Sequence, residues 1–234
     1  MRRLAETPEL LDGPLEPDLL AGNLRDLARV NRWLGGASLS LRALRMFATP
    51  HEALRVLDVG TGDADLPKQL FRRAAYSSTH LELTAIDIRT EIVELARRNV
   101  GRHPITVKLS SPDRIDEPDG SFEVVHASLV LHHLDPREAV ASLREMARVA
   151  TRAVIVNDLE RGRVWWLGAW LLTRVATGNR YTRNDAPLSV RRAYHSHEVE
   201  RLATHAGLKK VAQFWARPGY RYALVFSKQD QAGG

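Results

Sequence analysis

Residues Val56 to Pro67 read VLDVGTGDADLP, an apolar run that breaks on two glycines and resumes as the start of a helix. Leu54–Val59 has the short, almost continuously apolar character of a strand buried on both faces. Pro67 suits the first turn of the helix that follows, where its missing N–H costs nothing. Gly60 and Gly62 permit a sharp turn and let a ligand lie against the backbone with no Cβ in the way. Strand, glycine turn and helix start together put backbone N–H groups at the carboxyl end of a sheet, where open α/β sheets bind their ligands.

Outward from this stretch the pattern alternates. Strands are expected at 81–88, 105–109, 122–127 and 153–156, and helices at 67–76, 91–100 and 137–149. Such alternation implies a parallel sheet covered on both faces. A helix at 196–206 precedes two strands, 210–215 and 220–227, joined only by Arg217-Pro218-Gly219. That connection is too short for a parallel crossover, so the pair must be an antiparallel hairpin. Upstream, Leu19, Leu20, Leu24, Leu27, Val30 and Leu34, then Leu41, Leu44 and Phe47, follow helical spacing broken at Gly35-Gly36. Two N-terminal helices are expected there, with Trp33 on the side of the substrate opposite the 159–195 insertion. The chain should form one domain over 1–234: a helical cap (1–50), a ligand-binding core (51–158), an apolar helical insertion (159–195), and a last helix with its hairpin (196–228).

The chain has 234 residues, a formal charge of +6 and no cysteine, which excludes disulfides, thiolate metal sites and cysteine nucleophiles. Its longest apolar run, Val164–Leu172, is broken by Gly168 and falls short of the roughly 20 residues that span a bilayer. After Met1-Arg2-Arg3 come Glu6, Pro8, Glu9 and Asp12 rather than the apolar stretch of a secretory signal, so a cytoplasmic location is expected. The arginines are scattered and read as a solvated surface, which allows peripheral contact with an anionic membrane and leaves an oligomer open.

Asp87 closes the second strand, where a carboxylate can accept both hydroxyls of a ribose. A dinucleotide site would want glycine at position 65, with the pyrophosphate on the helix N-terminus. The chain has Asp65 there and Asp63 beside it. Two carboxylates at that turn repel a pyrophosphate and favour a cationic ligand.

VLDVGTGDADLP, AIDI at 85–88 and DGSFEVVHASLVLHHLDPREAVASLREMARV at 119–149 resemble the motifs of the class I S-adenosylmethionine-dependent methyltransferases. The flavour is that of ubiquinone and menaquinone biosynthesis enzymes and of polyketide- or lipid-tailoring ones. The resemblance covers about 54–158 and implies a Rossmann-like three-layer α/β sandwich, with a mostly parallel seven-stranded sheet ending in an antiparallel hairpin. It implies S-adenosylmethionine as cofactor and S-adenosylhomocysteine as product. By position, Asp58, Gly60, Thr61 and Gly62 match the loop at the methionine end, Asp87 the ribose carboxylate, and Ile88 the apolar residue against adenine. Ser111 matches the reader of the adenine edge, although Pro112 after it has no N–H to give, and Asp113 is the substitute. His126 matches the strand end beside the methionine moiety. Ala64 stands where many relatives have a third glycine.

Methyl transfer is an in-line displacement, so the protein has to align donor and acceptor and exclude water. A hydroxyl acceptor also gains from a base near neutrality. His132 is the first candidate, ahead of His133, His195 and His197. Asp158, with Asn157 at the end of the fifth strand, could orient a polar group of the substrate. No spacing here suggests metal ligation. RVWWLGAWLLTRV at 163–175 sits where such enzymes place a substrate lid, and a greasy lid implies a hydrophobic or aromatic small-molecule acceptor. The run from 163 into DAPLSVRRAY at 185–194 resembles a group found among polyketide-tailoring methyltransferases.

The competing readings are an RNA methyltransferase, a non-catalytic cofactor-binding assembly protein and a nicotinamide oxidoreductase. A nucleic-acid acceptor is disfavoured because HASL at 126–129 lacks the Asn/Asp-Pro-Pro-aromatic motif of base amino-methylating enzymes. The glycines and Asp87 argue against a dead site.

Overall fold

The computed structural model describes residues 1–4, 7–10, 13, 22–24, 26, 29, 35–49, 51–76 and 79–228. Helix α1 (Gly36–Leu44) precedes the sheet. The chain then runs β1 (Ala53–Val59), α2 (Asp65–Ala75), β2 (His80–Asp87), α3 (Thr90–Val100), β3 (Ile105–Leu109) and β4 (Phe122–Ser128). A 3-10 turn (Leu131–His133) leads into α4 (Pro136–Val149) and β5 (Ala150–Leu159). Helices α5 (Arg163–Ala176), α6 (Arg180–Arg192) and α7 (Ser196–His205) come before β6 (Leu208–Ala216) and β7 (Arg221–Lys228).

The seven strands lie in the order β3-β2-β1-β4-β5-β7-β6. β1 to β5 are parallel, and β7 inserts antiparallel between β5 and β6. This is the expected architecture, hairpin included. The sheet separates two apolar cores. Leu54 and Val56 of β1 and Ala223 and Val225 of β7 face the core built with α1, α2 and α3. Leu57 and Val59, with Leu224 and Phe226, face the core built with α4 and α7. Burial on both faces is why these strands read as unbroken apolar runs rather than alternating ones. Asp135 caps α4 in a full capping box with Glu138, worth about 1 kcal/mol.

Three differences from the sequence reading stand out. Of the two N-terminal helices, the second is α1, with Leu41 and Leu44 buried. The first falls largely outside the described residues, as does Trp33, while Gly22–Leu24 are helical. Secondly, β5 runs well past 153–156 and contains Asn157 and Asp158, because β7 pairs along it as far as Leu159. Thirdly, the insertion holds two packed helices, and α6 continues through Pro187.

Candidate functional site

The turn after β1 is built as the glycines demand. Gly60 and Gly62 have φ of 68° and 58°, a region open to glycine at little cost. They serve different ends. A Cβ on Gly60 would lie 2.5 Å from Val130 Cγ2, whereas one on Gly62 would meet nothing closer than Leu24 at 4.0 Å. Gly60 therefore admits the turn after β4, and Gly62 leaves open space. Ala64 also takes a left-handed φ of 58°, so the position keeps its glycine-like geometry without the glycine.

Asp87 ties this turn to the next strand. The Gly62 N–H donates to Asp87 Oδ2 at 3.0 Å, and the Arg89 N–H donates to Oδ1 at 3.2 Å. Burial raises the Asp87 pKa, and the N–H groups of Gly62, Arg89 and Ile88 pull the other way. Beside it Ile88 is 61% exposed, and Leu109, paired with Asp87 in the sheet, is exposed too. Together they offer an apolar platform next to a carboxylate. Ser110 N–H donates to the Asp87 carbonyl at 2.9 Å, which brings Ser111 to the same edge. The Ser111 hydroxyl hydrogen-bonds Asp113. Thr61 Oγ1 is buried with no hydrogen-bond partner among the described residues. An unpartnered hydroxyl, open space over Gly62, a buried carboxylate and an apolar platform fit a cationic nucleoside such as S-adenosylmethionine.

Asp63 and Asp65 are engaged with the protein. Asp63 Oδ1 accepts from the Asp65 N–H at 3.2 Å, and Asp65 Oδ2 accepts from Gln69 at 2.5 Å. Burial pushes the Asp63 carboxyl up to about 6.

Asp58 and His126, expected at the methionine end, are both buried. His126 is fully buried. Its Nδ1 lies 2.8 Å from Asp58 Oδ1 and its Nε2 2.8 Å from Ser40 Oγ. Both ring nitrogens are taken, so the ring braces Asp58 against α1 rather than meeting a ligand through them. Ser40, His126 and Asp58 stand in the order of a nucleophilic triad. Ser40 is fully buried, and its oxygen accepts from Asn157 Nδ2 at 2.6 Å, so no substrate carbonyl can reach it. Asn157 accepts in turn from Arg221 Nε at 2.5 Å, and Arg221 Nη2 donates to Ser128 Oγ at 2.7 Å. Burial lowers the Arg221 guanidinium to about 10 against the opposing pull of Asp158. Asn157 is thus a joint between sheet and α1, correcting its reading as a substrate contact. Neither Ser40 nor Arg221 was expected here; the signal was Gly36, where a Cβ would lie 2.6 Å from Arg221 Nη1.

Past the carboxyl ends of β4 and β5 opens a cavity of about 790 Å³, bounded by α1, α5, α6, the 3-10 turn and the β6–β7 hairpin. That is the size of a small-molecule site. Trp165, Leu172, Trp215 and Tyr220 give it apolar and aromatic walls. Its polar groups include His132, His133, Glu9, Arg42, Arg221 and, on α6, Thr182, Asp185 and Ser189. Leu129, with a strained φ of 60°, lines this cavity, while its neighbour Val130 packs on Gly60. The turn after β4 therefore lies between the glycine cleft and the cavity.

His132 faces the cavity with Asp158 behind it. Its Nδ1 is 2.8 Å from Asp158 Oδ1, and its backbone N–H donates to Oδ2 at 3.3 Å. Burial would raise the Asp158 carboxyl, but the His132 ring, the Leu159 N–H and Arg221 outweigh it and hold it below its ordinary value. Asp158 does not line the cavity, so it positions His132 and is not placed to touch substrate. Glu9 is a residue the sequence did not offer. Its Oε1 is 3.8 Å from His132 Nε2, its Oε2 3.9 Å from His133 Nε2, and Ser189 Oγ donates to it at 2.8 Å. The ligand atoms of Glu9, His132 and His133 lie within 4.8 Å of one another, a grouping that no sequence spacing revealed. His195 instead flanks α7, bonded to Glu160 and stacked on His197, outside the cavity.

Residues 56–152 match the family described as methyltransferase domain. An uncharacterized methyltransferase of Mycobacterium bovis is 30% identical over 125 residues, covering 52% of this chain and 60% of that protein. The demethylmenaquinone methyltransferase of Deinococcus radiodurans is 30% identical over 112 residues, 47% of this chain and 44% of its own length. The chain thus spans about half the length of these relatives. Among solved structures, an S-adenosylmethionine-dependent methyltransferase from Aquifex aeolicus superposes with a TM-score of 0.63 at 20% identity, covering 92% of this chain and 100% of that one. A TehB-like methyltransferase from Corynebacterium glutamicum gives 0.59 at 13%, with 92% and 100% covered.

Proposed function

We propose that the chain, whose residues 56–152 match the methyltransferase domain family on a fold shared with S-adenosylmethionine-dependent methyltransferases, methylates a small hydrophobic or aromatic acceptor. O-methylation of a polyketide-type phenol or a lipid is favoured over C-methylation. The observation that carries this reading is the shared turn after β4. Val130 packs against the glycine cleft, Leu129 lines the apolar cavity, and His132 follows one residue past Leu131.

S-adenosylmethionine supplies an electrophilic methyl group on a sulfonium. The chain's own residues do the rest. Thr61, Gly62, Asp87, Ile88 and Ser111 hold the nucleoside and the methionine end. Trp165, Trp215 and Tyr220 take the acceptor's apolar body and keep water away, which strengthens every polar interaction inside. The proton of the acceptor hydroxyl passes to Nε2 of His132 while Asp158 holds the Nδ1 side of the ring. The oxygen so bared is the nucleophile, and the proton stays on the imidazole until solvent takes it. Glu9 and His133 complete the polar end that orients the hydroxyl.

An apolar cavity of this kind suits a compact ring system or a chain rather than a nucleic acid, and the demethylmenaquinone methyltransferase among the relatives agrees with that preference. The test is incubation with S-adenosylmethionine and a panel of alkylated phenols, reading single methyl additions by mass spectrometry, with transfer RNA as the competing acceptor. Methylation of RNA alone would replace this reading with the nucleic-acid one.

A further inference from the structure

Helix α5 has two apolar faces, and the cavity uses one of them. Trp165, Ala169 and Thr173 look into the cavity. On the other side Val164, Leu167, Leu171 and Val175 form a stripe at helical spacing, exposed by 72%, 47%, 52% and 89%. Isolated exposed aliphatic residues are ordinary, but a contiguous stripe along a whole helix marks a contact surface.

The charge around the stripe says what it contacts. Between 163 and 184 the chain has Arg163, Arg174, Arg180 and Arg183 and no acidic residue. All four arginines are exposed, and Arg174 sits 4.0 Å over the Trp170 ring. Pairing this face with the same face of a second copy would bring Arg163 and Arg174 of both copies together with no carboxylate from the segment to receive them. An aliphatic stripe flanked by arginine and tryptophan has the chemistry of helices that lie in the headgroup plane of an anionic bilayer. No described helix is long and apolar enough to cross a membrane, so the contact is peripheral.

We infer that α5 docks the protein on an anionic lipid bilayer, with Val164, Leu167, Leu171 and Val175 immersed and the arginines on the headgroups. Because the same helix walls the cavity, docking sets that wall against the bilayer, so a lipophilic acceptor passes from membrane to cavity without crossing water. The docking itself is independent of the acceptor reading above; the delivery rests on it.

The test is flotation of the full chain with vesicles of phosphatidylcholine alone and of equal parts phosphatidylcholine and phosphatidylglycerol. Two double variants accompany the wild type, Leu171→Glu with Val175→Glu and Arg163→Glu with Arg174→Glu. S-adenosylhomocysteine binding and circular dichroism serve as controls for folding. The wild type should float with the anionic vesicles and not with phosphatidylcholine, and high salt should release it. Each folded double variant should lose about tenfold or more in binding. Equal flotation of wild type and folded variants, or none with anionic vesicles, overturns the docking. So does a dimer in light scattering that the Leu171→Glu, Val175→Glu variant dissolves, which would give the stripe to a second copy. Each of these results leaves methyl transfer in solution to be judged on its own.

Discussion

His132 Nδ1 and Asp158 Oδ1 lie 2.8 Å apart, with the carboxylate buried and the other ring nitrogen 3.8 Å from Glu9 Oε1. The pairing is that of a base and its orienting group. A base of this kind contributes about 10²–10⁴ in rate, so His132→Ala should lower kcat by that order and leave KM nearly unchanged. Asp158→Asn should lower kcat less, because an amide can favour the wrong tautomer. Unchanged kcat in His132→Ala at every pH would remove the base from the account.

The cluster of Glu9, His132 and His133 should work without a metal ion. Methyl transfer from a sulfonium needs alignment of donor and acceptor rather than a Lewis acid, and Glu9 already takes the Ser189 hydroxyl. Dialysis against EDTA should leave methyl transfer intact. Loss of activity restored by zinc or manganese would make the cluster a cation site instead.

The two glycines of the cofactor turn should fail differently. Gly60→Ala sets a Cβ 2.5 Å from Val130 Cγ2 at a φ of 68° and should destabilise the fold by more than the about 1–2 kcal/mol of the backbone conformation alone. Gly62→Ala meets only Leu24, at an unstrained 4.0 Å, so its stability loss should stay near that backbone figure while S-adenosylhomocysteine binding falls. Chemical denaturation and calorimetry on the two variants separate these effects. Equal stability losses would contradict the packing of Val130 on Gly60.

Asp63 makes the stability depend on pH. Burial raises its folded pKa to about 6, above the ordinary value near 3.9. Between those values the folded chain binds more protons than the unfolded one, so stability declines as pH rises from about 4 to about 6 and is level above that. Asp63→Asn should therefore be more stable than the wild type at pH 8, by about 3 kcal/mol, and equal to it near pH 4. The comparison is a denaturant midpoint series across that range. A wild type that is the more stable at pH 8 would mean that the carboxylate is better partnered than its burial implies.

Much of the fold was legible because it is local. The apolar runs of β1 to β4, the stops at Gly101 and Gly207, and the short Arg217–Gly219 link between β6 and β7 each follow from residues close in sequence. The extent of β5 did not, because pairing with β7, some 70 residues later, extends it. Helix α6 was obscured by Pro187, whose missing N–H argues for a break. At the site, the position of Asp87 at a strand end could be read from the sequence. The roles of His126 and Asn157 could not, since they are fixed by Ser40 and Arg221, 86 and 64 positions away. Glu9 meets Ser189 across 180 positions, and no spacing rule reaches that far.

The most direct test of the central claim is calorimetric titration of S-adenosylhomocysteine into the wild type and Asp87→Ala, with NADH as control. The account expects binding to the wild type, a loss of about 1–3 kcal/mol in Asp87→Ala, and no binding of NADH. Absence of S-adenosylhomocysteine binding, or equal affinity in the two proteins, would contradict the assignment of Asp87 and the glycine turn to the methyl donor.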